Sequence, residues 1–198
     1  MNIIHKLAFL FWNIYDFVNS LNYYTLCIIV FYIYEYSNVR AWLNGYNGTY
    51  YGVNNYTNQG FYDLAFSEDE KEIINTSFID NSAATTQSSF NDYTCSDTFD
   101  KVYLLSWQDA INPNYGFSTD STIQDEVRKG IATNYARSLG CYIGYYFKEF
   151  KDTSPWILRR PNINTSDVSY VNYSWNLYSS LIPSAKLVGI RPAISIAK

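Results

Sequence analysis

The residue types that most often carry enzymatic chemistry are scarce in this chain. Its single histidine, His5, stands beside the N-terminus, which removes the commonest general base and metal ligand from most catalytic arrangements. The three cysteines, Cys27, Cys95 and Cys141, are widely separated, and no cysteine or histidine pairing has the spacing of a metal site. We therefore expect no catalytic residue, no metal and no cofactor. Buried free thiols are expected, with a Cys95–Cys141 disulfide as the alternative in an exported protein.

The acidic run Glu68–Glu72 is the other stretch that could bind an ion. Calcium sites need oxygen ligands that alternate through a turn, whereas this run follows a helix-capping pattern. A solvated helix face is the simpler interpretation.

Two tyrosine-rich stretches are the best candidates for ligand binding in a chain with 21 tyrosines. The first contains Tyr46, Tyr50, Tyr51 and Tyr56, interleaved with Asn47, Asn54 and Asn55. The second contains Tyr173 and Trp175, flanked by Tyr170 and Tyr178. Trp175 is a candidate for an exposed aromatic patch, with a place in the core as the alternative. Aromatic rings stack on sugars and peptide groups, and neighbouring amides orient a ligand by hydrogen bonds. The alternative is that AT-rich codons explain the tyrosines and that the first stretch is an ordinary surface loop.

Three arginines, Arg40, Arg159 and Arg191, stand inside apolar motifs. Burying an unpaired guanidinium is costly, so each is expected to find a carboxylate or several carbonyl groups. Asp100 is the leading partner, and we predict that it pairs with one of the three. Their predicted role is to clamp helix and strands together, with a site for a ligand carboxylate or phosphate as the alternative.

The length and composition fit one globular domain. The chain has 198 residues, of which 47% are hydrophobic, 19% aromatic and 16% charged, so it can bury a sizeable core and is not disordered. Its net charge of −4 excludes a duplex nucleic-acid binder, because such proteins neutralise phosphates with clustered basic residues.

The first 33 residues differ from the rest. Apolar runs at 7–11 and 26–34 are too short to span a bilayer, which takes about 20 residues. They fit buried strands, a signal or anchor with Lys6 as its basic start, or a start that is not native to the fold. Membrane association is expected only if this segment is an anchor.

Capping signals place the helices of the remaining chain. Ser37 and Asn44-Gly45 bound a short helix, and Ser67 with Glu70 begins another near 68–76. Further short helices are predicted at 107–111, capped by Ser106, and at 133–140. The stretch 76–98 is predicted to be a long surface loop with one short strand.

Strands are predicted at 100–106, 156–159, 168–174 and 187–196. Pro192 implies an edge position or a bulge in the last of these. Helices and strands do not alternate regularly, so an α+β fold with mostly antiparallel strands is preferred to a doubly wound parallel sheet.

Four motifs stand in a fixed order along the chain. They are Ser37-x-Val39-Arg40-x-Trp42-Leu43-Asn44, Asp100-Lys101-Val102-Tyr103-Leu104-Leu105-Ser106, Trp156-x-Leu158-Arg159-x-Pro161 and Gly189-Ile190-Arg191-Pro192-Ala193. Together they resemble a bacterial domain of unknown function, family 6273, over residues 34–197. The chain differs from the family pattern at Ile157 and Arg160, where the family has Trp and Ser.

The family is in turn similar to the C-type-lectin-like group that includes the sulfatase-modifying, formylglycine-generating enzymes. The link is Gly189-Ile190-Arg191, which resembles the closing strand of that group. The resemblance implies one α+β domain with small antiparallel sheets, short helices and long loops at 34–198. It does not carry over the copper chemistry of those enzymes, because no cysteine follows Cys141.

These expectations combine into one functional hypothesis. The protein is expected to be a non-enzymatic recognition module, secreted or displayed on a bacterial cell surface, that binds protein or glycan through its tyrosine-rich loops. The alternatives are an enzyme of the sulfatase-modifying type with an altered site and a structural domain of a phage or mobile element.

Overall fold

The computed structural model describes residues 12–13, 34–48, 54–86, 95–138, 141–144, 148–159, 168–181 and 188–197. Five short helices are found there: α1 (Asn38–Asn44), α2 (Phe61–Ala65), α3 (Glu68–Ile73), α4 (Ala83–Thr86) and α5 (Asn134–Ser138). Single 3-10 turns lie at Tyr34–Tyr36, Asp109–Ile111, Pro113–Tyr115, Glu126–Arg128 and Lys148–Phe150.

Ten short strands form three small sheets in this part of the chain. In chain order they are β1 (Trp12–Asn13), β2 (Ile74–Asn75), β3 (Ser77–Ile79), β4 (Thr98–Asp100), β5 (Val102–Leu104), β6 (Trp156–Ile157), β7 (Val168–Val171), β8 (Leu177–Leu181), β9 (Gly189–Ile190) and β10 (Pro192–Ile196). The sheet orders are β1-β9-β6-β7-β8, β2-β10-β5 and β3-β4. All pairs are antiparallel except β6 with β9. Mixed helices and small sheets confirm the predicted α+β class at this coarse level.

The helix boundaries follow local capping. The Ser37 hydroxyl accepts from the Arg40 amide at the start of α1, and Gly45 ends the helix in the left-handed region at φ 67°. A Cβ at Gly45 would collide with the Asp63 carboxylate, so glycine is required there for space as well. The Ser67–Glu70 capping box begins α3 as predicted. The predicted extension of α3 to 76 is wrong, because Ile74 and Asn75 pair with β10 instead.

Two predicted strands are interrupted where the chain changes sheets. The stretch 100–106 divides at Lys101, so that β4 pairs with β3 while β5 pairs with β10. The stretch 187–196 divides at Arg191, between β9 and β10. The predicted edge position of Pro192 is confirmed: Pro192 is the first residue of β10 and pairs with Leu104 of β5, whereas β2 pairs with β10 only at Ser195 and Ile196. A strand start tolerates the missing amide proton equally well.

Part of the N-terminal segment joins a sheet. Trp12 pairs with Ile190 and Asn13 with Gly189, so β1 is the edge strand next to β9. The rest of 1–33, to which the strand, signal and non-native interpretations apply, lies outside the described residues.

Two apolar clusters form the core, and several strands contribute to both. On β6, Ile157 belongs to the first cluster and Trp156 to the second; on β10, Ile194 belongs to the first and Ala193 to the second. Successive side chains of a strand point to opposite faces, so these strands are covered by apolar side chains on both sides.

A buried ion pair joins α1 to β4. Arg40 Nε donates to both carboxylate oxygens of Asp100, at 2.9 and 3.1 Å, and Nη2 lies 2.8 Å from Oδ1. The Thr98 hydroxyl donates to the same carboxylate, which is fully buried. The prediction that Asp100 pairs with one of the three arginines is confirmed, and the partner is Arg40.

We predict that replacing Arg40 by Ala lowers the free energy of unfolding by about 3 to 5 kcal/mol, because the Asp100 carboxylate stays buried without its cation. Urea denaturation measures the loss. Arg137→Ala is the matched control, because its partner Asp152 is 42% exposed and the pair is worth less than about 1 kcal/mol. Equal losses in the two variants would contradict the prediction.

Candidate functional site

The first tyrosine stretch is only partly described, and its two described tyrosines contact the protein itself. The Tyr46 hydroxyl donates to the Phe99 carbonyl at 3.2 Å, and the Arg40 guanidinium lies 5.0 Å from the centre of its ring. Tyr56 is buried in the first core cluster. Tyr50 and Tyr51 lie outside the described residues.

The second stretch contains one surface tyrosine and one buried tryptophan. Tyr173 is half-buried, whereas Trp175 is only 5% exposed. Of the two alternatives for Trp175, the structure therefore shows the core position. Its indole packs edge-on against the buried Phe150, at 5.7 Å and 89°, and Lys129 Nζ lies 4.7 Å from the centre of its ring. Trp175 supports a surface instead of forming one.

Four tyrosines form that surface, which we call the tyrosine face: Tyr142, Tyr170, Tyr173 and Tyr178. Tyr170 and Tyr178 are partners across the β7–β8 hairpin, with ring centres 5.7 Å apart and planes inclined by 30°. Tyr173, in the hairpin turn, lies 5.6 Å from Tyr142. Tyr178 is 47% exposed and the other three are half-buried. One hairpin and one neighbouring segment thus present four rings.

The Tyr170 hydroxyl of the tyrosine face remains neutral at physiological pH. Burial raises the pKa of Tyr170, and the nearby Tyr178 and Tyr173 hydroxyls raise it further, because two phenolates would repel each other. A neutral phenol both donates and accepts hydrogen bonds. The face therefore offers polar groups of both kinds beside its apolar rings.

The hairpin turn that carries Tyr173 is fixed by its own side chains. Asn172 Oδ1 accepts from the Ser174 amide at 2.9 Å, from the Ser174 hydroxyl at 2.8 Å and from the Asn176 amide at 3.2 Å. Trp175 adopts a φ of 69°, in the left-handed region that a bulky residue rarely occupies. Thr153 Oγ1 lies 2.8 Å from the Tyr173 carbonyl oxygen. These contacts hold the backbone of the turn at Tyr173 in place.

Arg128 also holds the same turn, by a hydrogen bond to the Trp175 carbonyl. Its fully buried guanidinium donates to five carbonyl groups, those of Ala110, Ser118, Asp120, Ile123 and Trp175, at 2.7 to 3.4 Å. Burial lowers the pKa of Arg128, and the charges of Asp125 and Asp120 oppose that effect. The Arg128 guanidinium thereby joins the turn at Trp175 to the loop 118–123 by hydrogen bonds to carbonyl groups of both.

The predicted clamps are bound within the protein. Arg159 donates from Nη1 to the Leu104 carbonyl at 2.6 Å and from Nη2 to the Asp80 carbonyl at 3.0 Å. Arg191 donates to the carbonyls of Val127 and Arg128, and its guanidinium lies 4.8 Å from the centre of the Trp156 ring. Arg128 also holds segments together through buried hydrogen bonds, although the sequence analysis did not predict that role. The Asp125-x-x-Arg128 spacing could have indicated it, because residues three apart can pair within one turn.

The tyrosine face consists of aromatic and phenolic groups. Its side chains supply aromatic rings and phenol groups, which can pack against a ligand and exchange hydrogen bonds with it. Among the described residues, no group of three or more His, Cys, Asp or Glu side chains is placed to hold a metal ion. None of the helices in this part of the chain combines the length and apolar character needed to cross a membrane.

The thiols are held in surroundings that disfavour their reactive form. Cys95 and Cys141 are free, so they do not form the alternative disulfide, and Cys27 lies outside the described residues. Burial raises the pKa of Cys95 to about 11. It also raises the pKa of Cys141, whose sulfur lies 2.9 Å from the Ser154 hydroxyl oxygen. A raised pKa lowers the thiolate fraction and hence the nucleophilicity.

We predict that Arg128→Lys lowers the free energy of unfolding by about 3 kcal/mol or more, because an ammonium cannot reach all five carbonyls and leaves buried acceptors unpaired. Chemical denaturation measures the loss. The control is Arg137→Lys, at a partly exposed position, where a change within about 0.5 kcal/mol is expected. A comparably small change for Arg128→Lys would contradict the prediction.

We further predict that iodoacetamide alkylates Cys95 about a hundredfold more slowly at pH 8 in the folded chain than in urea, because its pKa lies about two units higher. Peptide mapping by mass spectrometry follows Cys95 separately from the other cysteines. The folded rate should rise with pH up to about 11. Equal rates in the two states would refute the protection.

Comparison with protein-family models gives one match, to a domain of unknown function (DUF6273), over residues 31–198. Neither the curated proteins nor the solved structures yielded a match. The family match includes all four sequence motifs and covers well over half of the chain. The protein therefore belongs to the DUF6273 family.

Proposed function

We propose that this protein is a non-enzymatic recognition module that binds a protein or glycan ligand through the tyrosine face. The observation that carries the proposal is the grouping of Tyr142, Tyr170, Tyr173 and Tyr178 on one rigid hairpin and its neighbouring segment. Contiguous apolar patches at a protein surface mark interaction sites more often than singly exposed apolar side chains do. The first tyrosine stretch, with Tyr46, Tyr50, Tyr51 and Tyr56, stays a second candidate.

Tyrosine suits this role for an energetic reason. Its ring offers a large contact area, and only two side-chain torsions are lost on binding, so the entropic cost is small. In the tyrosine face part of that cost is already met, because Phe150 packs edge-on against Tyr173 at 5.8 Å. A surface ordered before binding gains affinity by avoiding the cost of ordering.

The finer fold assignment is part of the same proposal. Small sheets joined by long loops, and Arg191 stacked on the buried Trp156, support a C-type-lectin-like domain. Folds of that type present loops and hairpins for recognition, although a fold alone never fixes a ligand. Secretion or surface display is also part of the proposal. It is supported by the apolar run at 7–11, which Lys6 directly precedes as a basic residue.

We predict that Tyr173→Ala with Tyr178→Ala weakens ligand binding at least about tenfold, because truncating a central aromatic anchor costs more than about 1 kcal/mol. The probes are a glycan array and pull-down from cell extracts, each with the full chain. Tyr36→Ala, at an exposed tyrosine outside the face, is the matched control.

The remaining outcomes separate the two tyrosine stretches. Binding that survives the Tyr173 and Tyr178 substitutions but is lost in Tyr50→Ala with Tyr51→Ala would move the site to the first stretch. Binding that survives all four substitutions would refute the proposal. Thermal unfolding confirms that each variant remains folded.

A further inference from the structure

The two-stranded sheet β3-β4 has two outer edges, and they differ in how they are covered. At the edge of β4 and just after it, the Tyr46 hydroxyl donates to the Phe99 carbonyl, and Asn44 Oδ1 accepts from the Lys101 and Val102 amides. Among the described residues, no strand pairs with the outer edge of β3 and no loop forms a hydrogen bond with its backbone. In this part of the chain β3 is therefore the open edge of its sheet.

The register places the outward backbone groups of this edge on one residue, Phe78. Phe78 lies directly opposite Phe99 in the antiparallel pair. The Phe99 carbonyl accepts from Tyr46 and so points away from β3, which makes Phe78 and Phe99 a pair without mutual hydrogen bonds. Side chains of such a pair lie closest together, in agreement with ring centres 5.5 Å apart. The Phe78 amide and carbonyl therefore both face the open edge.

The open edge carries an exposed aromatic pair and none of the features that usually block an edge strand. Phe78 and Phe99 are 60% and 62% exposed. Lysine, proline and bulges commonly protect natural edges from pairing, and β3 consists of Ser77, Phe78 and Ile79 in an unbroken register with β4. An unprotected apolar edge of this kind is expected to pair with another strand.

A second copy of the chain has the geometry to satisfy this edge. Opposite residues that exchange both N–H···O=C bonds in an antiparallel pair are related by a local two-fold axis. Because Phe78 carries both outward groups, such an axis pairs Phe78 with the same residue of a second copy. The register then sets Ser77 opposite Ile79 and Thr76 opposite Asp80, so no like charges face each other.

We propose that the chain forms a weak two-fold dimer in which β3 of one copy pairs antiparallel with β3 of the other, centred on Phe78. The two small sheets then join into one of four strands, with the Phe78 and Phe99 rings of both copies on one face. This interface does not involve the tyrosine face, so the inference is independent of the proposed function.

The size of the aromatic patch sets the strength of this dimer. A phenylalanine buries about 150 to 250 Å² when fully covered, so four rings exposed by about 60% offer roughly 500 Å² together. A stable dimer buries about 1,200 Å² or more in total. The dimer is therefore reversible, with an expected Kd between about 10 μM and 1 mM.

Sedimentation equilibrium of the full chain, from about 10 μM to about 1 mM, measures this association. Phe78→Lys should raise Kd at least about tenfold, because it places two ammonium groups beside the axis. Leu64→Lys is the matched control: Leu64 is 71% exposed on α2, and the substitution adds the same charge and removes an exposed apolar side chain. Its Kd should stay within about twofold of the unsubstituted chain, because distant exposed charges are screened.

Amide hydrogen exchange, followed by NMR, distinguishes strand pairing from stacking of the rings alone. In the dimer the Phe78 amide donates across the axis, so its exchange should slow as the protein concentration rises through Kd. The Ser77 amide, which the same register directs toward β4, should exchange at a rate independent of concentration.

Three results would overturn this proposal. The first is a chain that stays monomeric up to about 1 mM, which would leave the β3 edge to a strand of another protein. The second is a dimer that persists unchanged in Phe78→Lys, and the third is a dimer in which the exchange of the Phe78 amide does not depend on concentration. The exchange measurement uses the unsubstituted chain, so it decides between the outcomes even if Phe78→Lys does not fold.

Discussion

The guanidinium of Arg128 is the interaction on which the surface of this protein most depends. It is fully buried, and it donates to carbonyl groups at 110, at 118–123 and at 175, which are far apart in sequence. Its own backbone carbonyl accepts from Trp156 Nε1 and from Arg191. A charge without these acceptors would be very costly to bury, so each segment is held in place by the need to keep the cation solvated.

Arginine performs the same task elsewhere in the fold because regular structure is short. Strands β6 and β9 have two residues each and supply few ladder hydrogen bonds. Arg159 joins the end of β5 to the loop at Asp80, and Arg40 joins α1 to β4. A guanidinium carries five donors in a fixed plane and can satisfy several carbonyls of irregular segments at once, whereas a lysine ammonium has three donors on one atom. Buried arginines therefore replace part of the missing backbone ladder.

Local signals predicted the elements that local contacts create. The Ser37 and Ser67 caps and the Ser106–Asp109 turn involve residues three apart, and all three are found. The break at Lys101, the early end of α3 and the central position of β10 depend on pairing between distant strands, which no short stretch of sequence encodes. The burial of Trp175 is of the same kind, because Phe150 and Lys129 cover it from other segments.

The tyrosine face follows from how the hairpin divides its side chains between two tasks. Val171, Trp175 and Leu177 are buried and hold the hairpin to the second core cluster, to Phe150 and to Arg128. Tyr170 and Tyr178 contact each other across the hairpin, and Tyr173 contacts both Tyr142 and the buried Phe150. A substitution at Tyr170 or Tyr178 removes their contact across the hairpin, whereas one at Tyr173 also removes a ring contact with the buried Phe150. The hairpin therefore separates the side chains that hold it to the core from those that shape its surface, so the surface can vary in sequence more freely than the packing below it.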